Sequence, residues 1–188
     1  MVAICRALDV REAIIVGHSA GAMIALLAAI RAPQYFAKAV LLAASPYYLN
    51  EPGYYGGFER KDVADLLATM DANYQQWANA FAIMLVGQDY PATLGYELAG
   101  YFCQSDPEIA KQIVQLSFWG DNRALLPQLH LPTLLLQCAD DVAVPTEVGQ
   151  YLLEHLPQAT LVTLQATGHC PHLSAPREVL AAMQDFIG

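Results

Sequence analysis

The chain carries little charge, and lysine is almost missing from it. Only 14% of its 188 residues are charged, three residues are lysine, and 18 acidic residues outnumber nine basic ones. So acidic a chain cannot neutralise a run of phosphates, which excludes nucleic acid as a partner and a polybasic anchor on a membrane. Because 55% of the residues are hydrophobic, we expect a sizeable folded core rather than disorder.

Long apolar runs and paired cysteines are missing as well. The longest apolar run, Ala20 to Ile30, is too short to cross a bilayer. The stretch Met1 to Val10 holds Arg6 and Asp9, where a signal peptide needs an unbroken apolar segment. No two cysteines stand at C-x-x-C spacing, so we expect free thiols in a reducing compartment. These absences predict a cytoplasmic protein without a membrane segment.

Strand and helix patterns alternate towards both ends of the chain. An apolar run at 13–17, a helical pattern at 20–31 and a second apolar run at 38–45 form a β-α-β unit, which requires a parallel sheet. The alternation resumes later in the order strand, helix, strand, helix, at 133–138, 146–155, 160–165 and 177–187. We therefore predict an α/β fold with a mostly parallel sheet.

The middle of the chain has a different character. Between residues 46 and 125 the pattern is helical and rich in aromatic residues, and no strand pattern interrupts it. We predict that residues 1–45 and 126–188 form the α/β core and that residues 46–125 form a helical lid. An insertion placed after a strand's carboxyl end covers the edge where open α/β sheets bind ligands.

A serine between two glycines stands where the first strand pattern meets the first helix pattern. Gly17-His18-Ser19-Ala20-Gly21 has the form G-x-S-x-G, a sharp turn that raises the serine above the sheet as a nucleophile. Glycine at both ends avoids clashes where the strand and helix backbones nearly touch. The Ala20 N–H, at the helix N-terminus, would point at a developing oxyanion. The alternative is a purely structural tight turn.

A serine nucleophile needs a base and a group that orients the base. Asp140 and Asp141 follow one predicted strand and His169 follows the next, so these side chains reach the same sheet edge as Ser19. The order Ser, Asp, His is the one that α/β hydrolases use. We choose Asp141 as the acid and His169 as the base. In the alternative, Asp140 orients His169 while Asp141 caps the helix that follows.

The other histidines compete less well for these roles. His18 is expected to fill space beside the nucleophile, His130 lies in a loop, and His155 ends a helix, where a cation suits the dipole. His172 is the rival to the chosen base, because the run HCPH at residues 169–172 could be taken for metal ligands. No second ligand cluster accompanies this run, so we expect no metal and no cofactor.

Aromatic side chains of the predicted lid are candidates for an apolar pocket above the active edge. Aromatic residues at helical spacing are usually ordinary core, which is the alternative here. So many in one inserted segment would nevertheless form a dry pocket for a small hydrophobic substrate. The candidates are Tyr54, Phe58, Trp77, Phe81, Phe102 and Trp119.

Several stretches of the chain resemble one group of hydrolases. They are VGHSAGAMIALLAAIRAP, SPYYLNEPGYYGGFE, FCQSDPEIAKQIV, LQCADDVAVPTEVGQYLLEHLP and GHCPHLSAP. The resemblance, which covers essentially the whole chain, is to the RsbQ-type bacterial stress-signalling hydrolases and the similar plant karrikin and strigolactone receptors. It implies an α/β-hydrolase fold, a lid of four helices, and Ser19, Asp141 and His169 as nucleophile, acid and base. It also implies an apolar pocket for a small hydrophobic molecule, and a phosphatase-type partner protein that reads the result.

The resemblance implies further segments as well. Members of that group have about four strands and two helices ahead of the elbow, including the loop that donates the second oxyanion N–H. We therefore expect the N-terminal strands of the fold to be absent from this chain, and losing one such donor costs about 2.7–4 kcal/mol of transition-state stabilisation. The strand at 13–17 would then have an unpaired edge, which self-association could cover.

Two functions of different classes follow from these observations. The leading hypothesis is a serine hydrolase that acts on esters or lactones of small hydrophobic molecules through an acyl-enzyme. The second is a sensor that binds a small hydrophobic ligand and signals to a regulatory protein partner, with slow or no turnover. A folded chain without activity is a third possibility, because of the missing oxyanion donor.

Overall fold

The core of the molecule is a sheet of four parallel strands. The computed structural model describes residues 1–188. The strands are β1 (Ala13–His18), β2 (Phe36–Leu42), β3 (Thr133–Asp140) and β4 (Ala159–Thr167). They lie side by side in the order β1-β2-β3-β4, and every neighbouring pair is parallel. The near-continuous apolar runs predicted this arrangement, because both faces of a parallel sheet are covered.

Helices cover both faces of the sheet. They are α1 (Val2–Ala7), α2 (Ala20–Arg31), α3 (Arg60–Ala72), α4 (Tyr74–Val86), α5 (Ala92–Gln104), α6 (Pro107–Trp119), α7 (Thr146–His155), α8 (Pro171–Ser174) and α9 (Pro176–Ile187). Alternate side chains of β2 point to opposite faces. Ala39 and Leu41 belong to the larger core with α2 and α7, whereas Val40 and Leu42 pack in the smaller core with α9.

The helices α3 to α6 form one insertion between β2 and β3. Side chains cap two of them at their N-termini: Asn73 accepts a hydrogen bond from the Gln76 N–H, and Asp106 accepts from the N–H groups of Glu108 and Ile109. A capping box precedes α3 as well. These four helices pack on each other, and α4 contacts the segment that follows β4 through the hydrogen bond from the His169 N–H to the Leu85 carbonyl.

The first residues of the insertion differ from the helical prediction. Residues 46–59 form no helix, and two isolated bridges, Leu49–Phe58 and Glu51–Tyr54, fold them back on themselves. The Asn50 side chain accepts hydrogen bonds from two glycine N–H groups within the loop. A proline and three glycines in the run EPGYYGG explain the difference, since these residues disfavour a helix.

The carboxyl ends of the strands line up at one edge. Leu42 of β2 pairs with His18 of β1 on one side and with Leu136 of β3 on the other. The second strand ends at Leu42 rather than at residue 45 as predicted, because Ala43 has a φ of 45° and turns the chain out of the sheet. At the other side, Asp140 of β3 pairs with Thr167 of β4. The segments that follow β1, β3 and β4 therefore start close together.

The strand β1 is an edge strand, with β2 as its single neighbour in the sheet. Val16 of this strand and Ile24 of α2 are half exposed. Self-association through this edge stays a prediction. None of the nine helices combines the length and the apolar composition that a membrane-spanning segment requires.

Candidate active site

Ser19 lies in a strained turn between β1 and α2. Its backbone has φ 54° and ψ −124°, a conformation that L-residues rarely adopt and that is typical of a nucleophile elbow. At Gly17 a Cβ atom would lie 2.4 Å from the Gly21 carbonyl oxygen, so glycine is required there. The same argument does not hold for Gly21, because a Cβ atom there would meet nothing within 4 Å. The elbow therefore depends on Gly17.

His169 links Ser19 to Asp141 through hydrogen bonds. Its Nε2 lies 2.7 Å from the Ser19 Oγ, and its Nδ1 lies 3.0 Å from both carboxylate oxygens of Asp141. Because a carboxylate can only accept, Nδ1 carries the proton and donates it to Asp141. Nε2 is then free to accept the hydrogen bond that the Ser19 hydroxyl donates. Only 2% of His169 is exposed, so this chain of hydrogen bonds is shielded from water.

Asp141, rather than Asp140, contacts the histidine ring. The Asp141 carboxylate also accepts hydrogen bonds from the backbone N–H groups of Ala143 and Val144, which hold it in place. It does not cap α7, whose N-cap is Pro145. The Asp140 side chain is exposed, while its backbone carbonyl accepts from the Gly168 N–H at 2.7 Å. The two aspartates thus hold the histidine segment in different ways.

The insertion reaches the histidine segment through the end of α4. The His169 N–H donates to the Leu85 carbonyl at 2.7 Å. Gly168, with φ 76°, passes so close to α4 that a Cβ atom would lie 2.2 Å from the Val86 carbonyl oxygen. Close by, the Thr167 hydroxyl donates to Asp89. The position of His169 therefore depends on the insertion as well as on the sheet.

Ala20 supplies a free backbone donor next to the serine. It is the first residue of α2, and its N–H makes no hydrogen bond to another group of the chain. The residue lines the same cavity as Ser19 and His169. An N–H at a helix N-terminus, with the helix dipole behind it, is suited to bind a negative oxygen.

A cavity of about 360 Å³ opens above Ser19 and His169. Fifteen of its 21 lining residues are hydrophobic, so it favours an apolar ligand. Three of the six predicted aromatic residues, Trp77, Phe81 and Phe102, line it. The rings of these three residues pack together, with centroids 4.9 to 6.2 Å apart.

The other three predicted aromatic residues lie elsewhere. Tyr54 packs edge-on against Tyr151, and its hydroxyl donates to the Tyr47 carbonyl. Phe58 packs against other aromatic rings behind the cavity wall. Trp119 is 38% exposed and lies near the Arg60 guanidinium. None of these three residues lines the cavity.

The sequence reasoning missed several lining residues. Among them are Tyr48 from the irregular loop and, from the helices, Leu85, Leu98, Ile109, Val114 and Phe118. Val114 and Phe118 stand four residues apart on α6, a spacing that would have selected Phe118 over its neighbour Trp119. Also missed are His18, Cys170 and His172, which line the cavity near Ser19 and His169.

Titratable groups around the cavity have shifted pKa values. Burial, helped by the nearby His169, lowers the pKa of His18 to about 3, and burial also lowers the pKa of His172. Burial raises the pKa of Tyr48 and that of Cys170 to about 12. These four groups are therefore uncharged at neutral pH, which suits an uncharged ligand. No three His, Cys, Asp or Glu side chains come together in a geometry that could hold a metal ion.

Comparison with known proteins identifies the family. Residues 2–182 match the sequence model of the alpha/beta hydrolase family. The chain belongs to the alpha/beta hydrolase family. This agrees with the parallel sheet, the elbow and the helices on both faces described above. The similar proteins include esterases and other hydrolases, which supports a hydrolase activity for this chain.

Three relatives are especially similar to this alpha/beta hydrolase. A probable esterase from Oryza sativa subsp. japonica is 39% identical over 184 residues, which are 97% of this chain and 68% of the rice protein. The karrikin insensitive 2 receptor CA of Petunia hybrida is 38% identical over 184 residues, with the same two coverages. The solved structure of a hydrolase from Oleispira antarctica is 36% identical, with a TM-score of 0.96 over 99% of this chain and 68% of that one. The chain thus spans about two thirds of the length of each relative.

Proposed function

We propose that this chain is a serine hydrolase for carboxylic esters or lactones of small hydrophobic molecules. The observation that carries the proposal is the hydrogen-bonded series Ser19–His169–Asp141 at the floor of an apolar cavity. Each of the three side chains follows a different strand, and the distances are those that proton transfer requires. Family membership supports a hydrolase, whereas the roles of these residues and the substrate are our proposal.

In the proposed reaction, His169 takes the proton of the Ser19 hydroxyl while Oγ attacks the carbonyl carbon of the ester. The Ala20 N–H binds the oxyanion of the tetrahedral intermediate. His169 then gives its proton to the leaving alcohol, and an ester of Ser19 with the acyl group remains. Water, deprotonated by His169, releases the acid and regenerates the Ser19 hydroxyl. Asp141 stabilises the imidazolium in both steps and maintains the tautomer.

The cavity sets the class of substrate. Its wall is apolar, and burial keeps the side chains of His18 and Cys170 in it uncharged at neutral pH, so a charged substrate would lose hydration without gaining a partner. A volume of about 360 Å³ suits a small molecule rather than a polymer or a peptide. We therefore expect neutral esters or lactones with a compact hydrophobic body.

Hydrolysis of p-nitrophenyl butyrate by the purified chain tests the proposal. We expect Ser19→Ala to reduce kcat by a factor of about 10³ or more, because no other group replaces the nucleophile. Ser45→Ala is the matched control, since Ser45 lies outside the cavity and donates to the Tyr47 carbonyl. Equal turnover by the wild type and by Ser19→Ala would refute the proposal.

A second candidate function is that of a ligand sensor with slow or no turnover. The similarity to a petunia protein named as a karrikin insensitive 2 receptor favours it, because the likeness covers 97% of the chain. The likeness to RsbQ-type stress-signalling hydrolases belongs to the same candidate function, with a regulatory phosphatase-type protein as the partner. Small hydrophobic ligand binding would then matter more than hydrolysis.

One experiment separates the two functions. Ser19→Ala should still bind a hydrophobic lactone or ester, and a thermal-shift titration measures this binding without turnover. A sensor would retain partner capture in Ser19→Ala while ester turnover in the wild type is negligible. A hydrolase would show rapid wild-type turnover that disappears in Ser19→Ala. Rapid turnover with no ligand-dependent partner would eliminate the sensor.

A further inference from the structure

Three hydrogen bonds from three segments hold the backbone that carries the proposed base. The Gly168 N–H donates to the Asp140 carbonyl at the end of β3, and the His169 N–H donates to the Leu85 carbonyl at the end of α4. The third bond joins the His169 carbonyl oxygen to Nε2 of His18, at 2.7 Å. The first two bonds connect backbone groups, so no side chain takes part in them. The third alone depends on the identity of a side chain.

His18 is the residue immediately before the proposed nucleophile. Its ring centroid lies 5.1 Å from that of His169 and 4.4 Å from that of His172, so the ring contacts both ends of the segment 169–172. The ring is neutral, because burial and His169 lower the pKa of His18 to about 3. A neutral imidazole has one N–H group, and a carbonyl oxygen can only accept. The proton of His18 is therefore on Nε2, and the ring donates it to the His169 carbonyl.

We propose that His18 is a positioning residue for the hydrolysis. Its Nε2–H fixes the base-bearing segment to the elbow and so sets the distance between Ser19 Oγ and His169 Nε2. Residues 18 and 169 are 151 positions apart, yet this bond makes the base move together with the nucleophile. The inference rests on the proposed function and adds a role to a residue that the sequence analysis expected only to fill space.

A pair of variants of equal side-chain length tests the role. His18→Gln keeps an N–H donor at this position, whereas His18→Met removes the donor and keeps an unbranched chain of about the same length. We expect His18→Met to lower kcat on p-nitrophenyl butyrate by about 10- to 100-fold, because a small misplacement of the base is costly. KM should stay within about threefold in both variants, and His18→Gln should retain kcat within about fivefold of the wild type.

The result that overturns the proposal is an equal kcat in His18→Gln and His18→Met at similar melting temperatures. If a variant does not fold, a measurement on the wild-type chain still tests the proposal. Nitrogen-15 NMR of the His18 ring should show a proton on Nε2 and none on Nδ1 at pH 7. A proton on Nδ1 would remove the donor and with it the proposal.

The controls separate this inference from the proposed function. If wild-type turnover does not depend on Ser19, then the hydrolase proposal fails, whatever the two variants do. If turnover depends on Ser19 while His18→Gln and His18→Met behave alike, only the role of His18 fails. Loss of kcat in His18→Met with rescue in His18→Gln supports both.

Discussion

The sheet and the helical insertion contribute different things to the same cavity. The edge of the sheet supplies the polar groups, namely Ser19, His169, Asp141 and the free N–H of Ala20. The helices α4 to α6 supply mainly apolar surface, with Phe102 and its neighbours stacked in one wall. In the proposed function, chemistry and selectivity are therefore encoded in separate parts of the chain.

The two regions are nevertheless coupled at one place. The Leu85 carbonyl at the end of α4 and Asp89 in the loop after α4 contact the segment Thr167–His169. A change in the sheet edge should thus alter kcat, and a change deep in the insertion should alter the preference among substrates. Changes at the contact itself should affect both stability and kcat.

The largest expected effect concerns the polar edge. Asp141→Asn should lower kcat by about 10⁴-fold, because an amide in place of the carboxylate reverses the tautomer of His169 and loses the negative charge. Asp140→Asn is the matched neighbour, and we expect it to lose at most about tenfold, since its side chain is exposed. Initial rates on p-nitrophenyl butyrate measure both variants. A larger loss of kcat in Asp140→Asn than in Asp141→Asn would contradict the assignment of Asp141 as the acid.

The next effect concerns the contact between the regions. Gly168→Ala should lower the free energy of unfolding by about 2–5 kcal/mol, because Cβ would meet the Val86 carbonyl oxygen at 2.2 Å and φ is positive. Gly100→Ala in α5 meets nothing within 4 Å, and we expect a gain of about 0.5–1 kcal/mol. Urea unfolding compares the two variants. Equal free energies of unfolding for Gly168→Ala and Gly100→Ala would show that α4 does not pack closely against the segment that carries His169.

A smaller effect concerns acid stability. The pKa of His18 is about 3 in the folded chain, against 6.5 for an unshifted histidine, so the unfolded chain binds more protons between these values. Stability is therefore lost as the pH falls from about 6.5, by at most about 1.4 kcal/mol per pH unit from this group. His18→Gln should show a shallower loss between pH 6.5 and 4.5. Urea unfolding at the two pH values measures this. An equal loss of unfolding free energy in the wild type and in His18→Gln would contradict the lowered pKa of His18.

The smallest effect concerns the wall of the cavity. Phe102→Ala should lower kcat/KM for p-nitrophenyl hexanoate by about tenfold, because the ligand loses apolar contact. The loss should be smaller for p-nitrophenyl acetate, which reaches less of the wall. Tyr96→Ala is a control on the same helix, since Tyr96 is 62% exposed and does not line the cavity. An equal loss of kcat/KM in Phe102→Ala and Tyr96→Ala would show that the cavity wall does not determine the preference among substrates.

The sequence predicted the sheet well because its signals are local. The helices at 20–31 and 146–155 have the predicted ends, since Ser19 and Pro145 mark their starts. The strand order follows from β-α-β units, which allow few arrangements. Spacing and strand context predicted Ser19, Asp141 and His169 at one edge, and the structure brings them into hydrogen-bond contact.

The insertion was harder to predict because its signals are not local. Helical spacing separates the buried Phe118, four residues after Val114, from the exposed Trp119, but it does not show which space an inward-facing aromatic residue faces. Tyr54 packs on Tyr151 from a distant helix, and no pattern in the sequence pairs them. The hydrogen bond of His18 likewise depends on a partner far along the chain.

The most direct test of the account is a covalent label on the nucleophile. The chain is incubated with a fluorophosphonate, which reacts with activated serines, and the modified peptide is located by mass spectrometry. We predict one phosphonyl group per chain, on Ser19, and almost none when His169→Ala removes the base. An unlabelled Ser19 in a folded chain that still hydrolyses p-nitrophenyl butyrate would contradict the account.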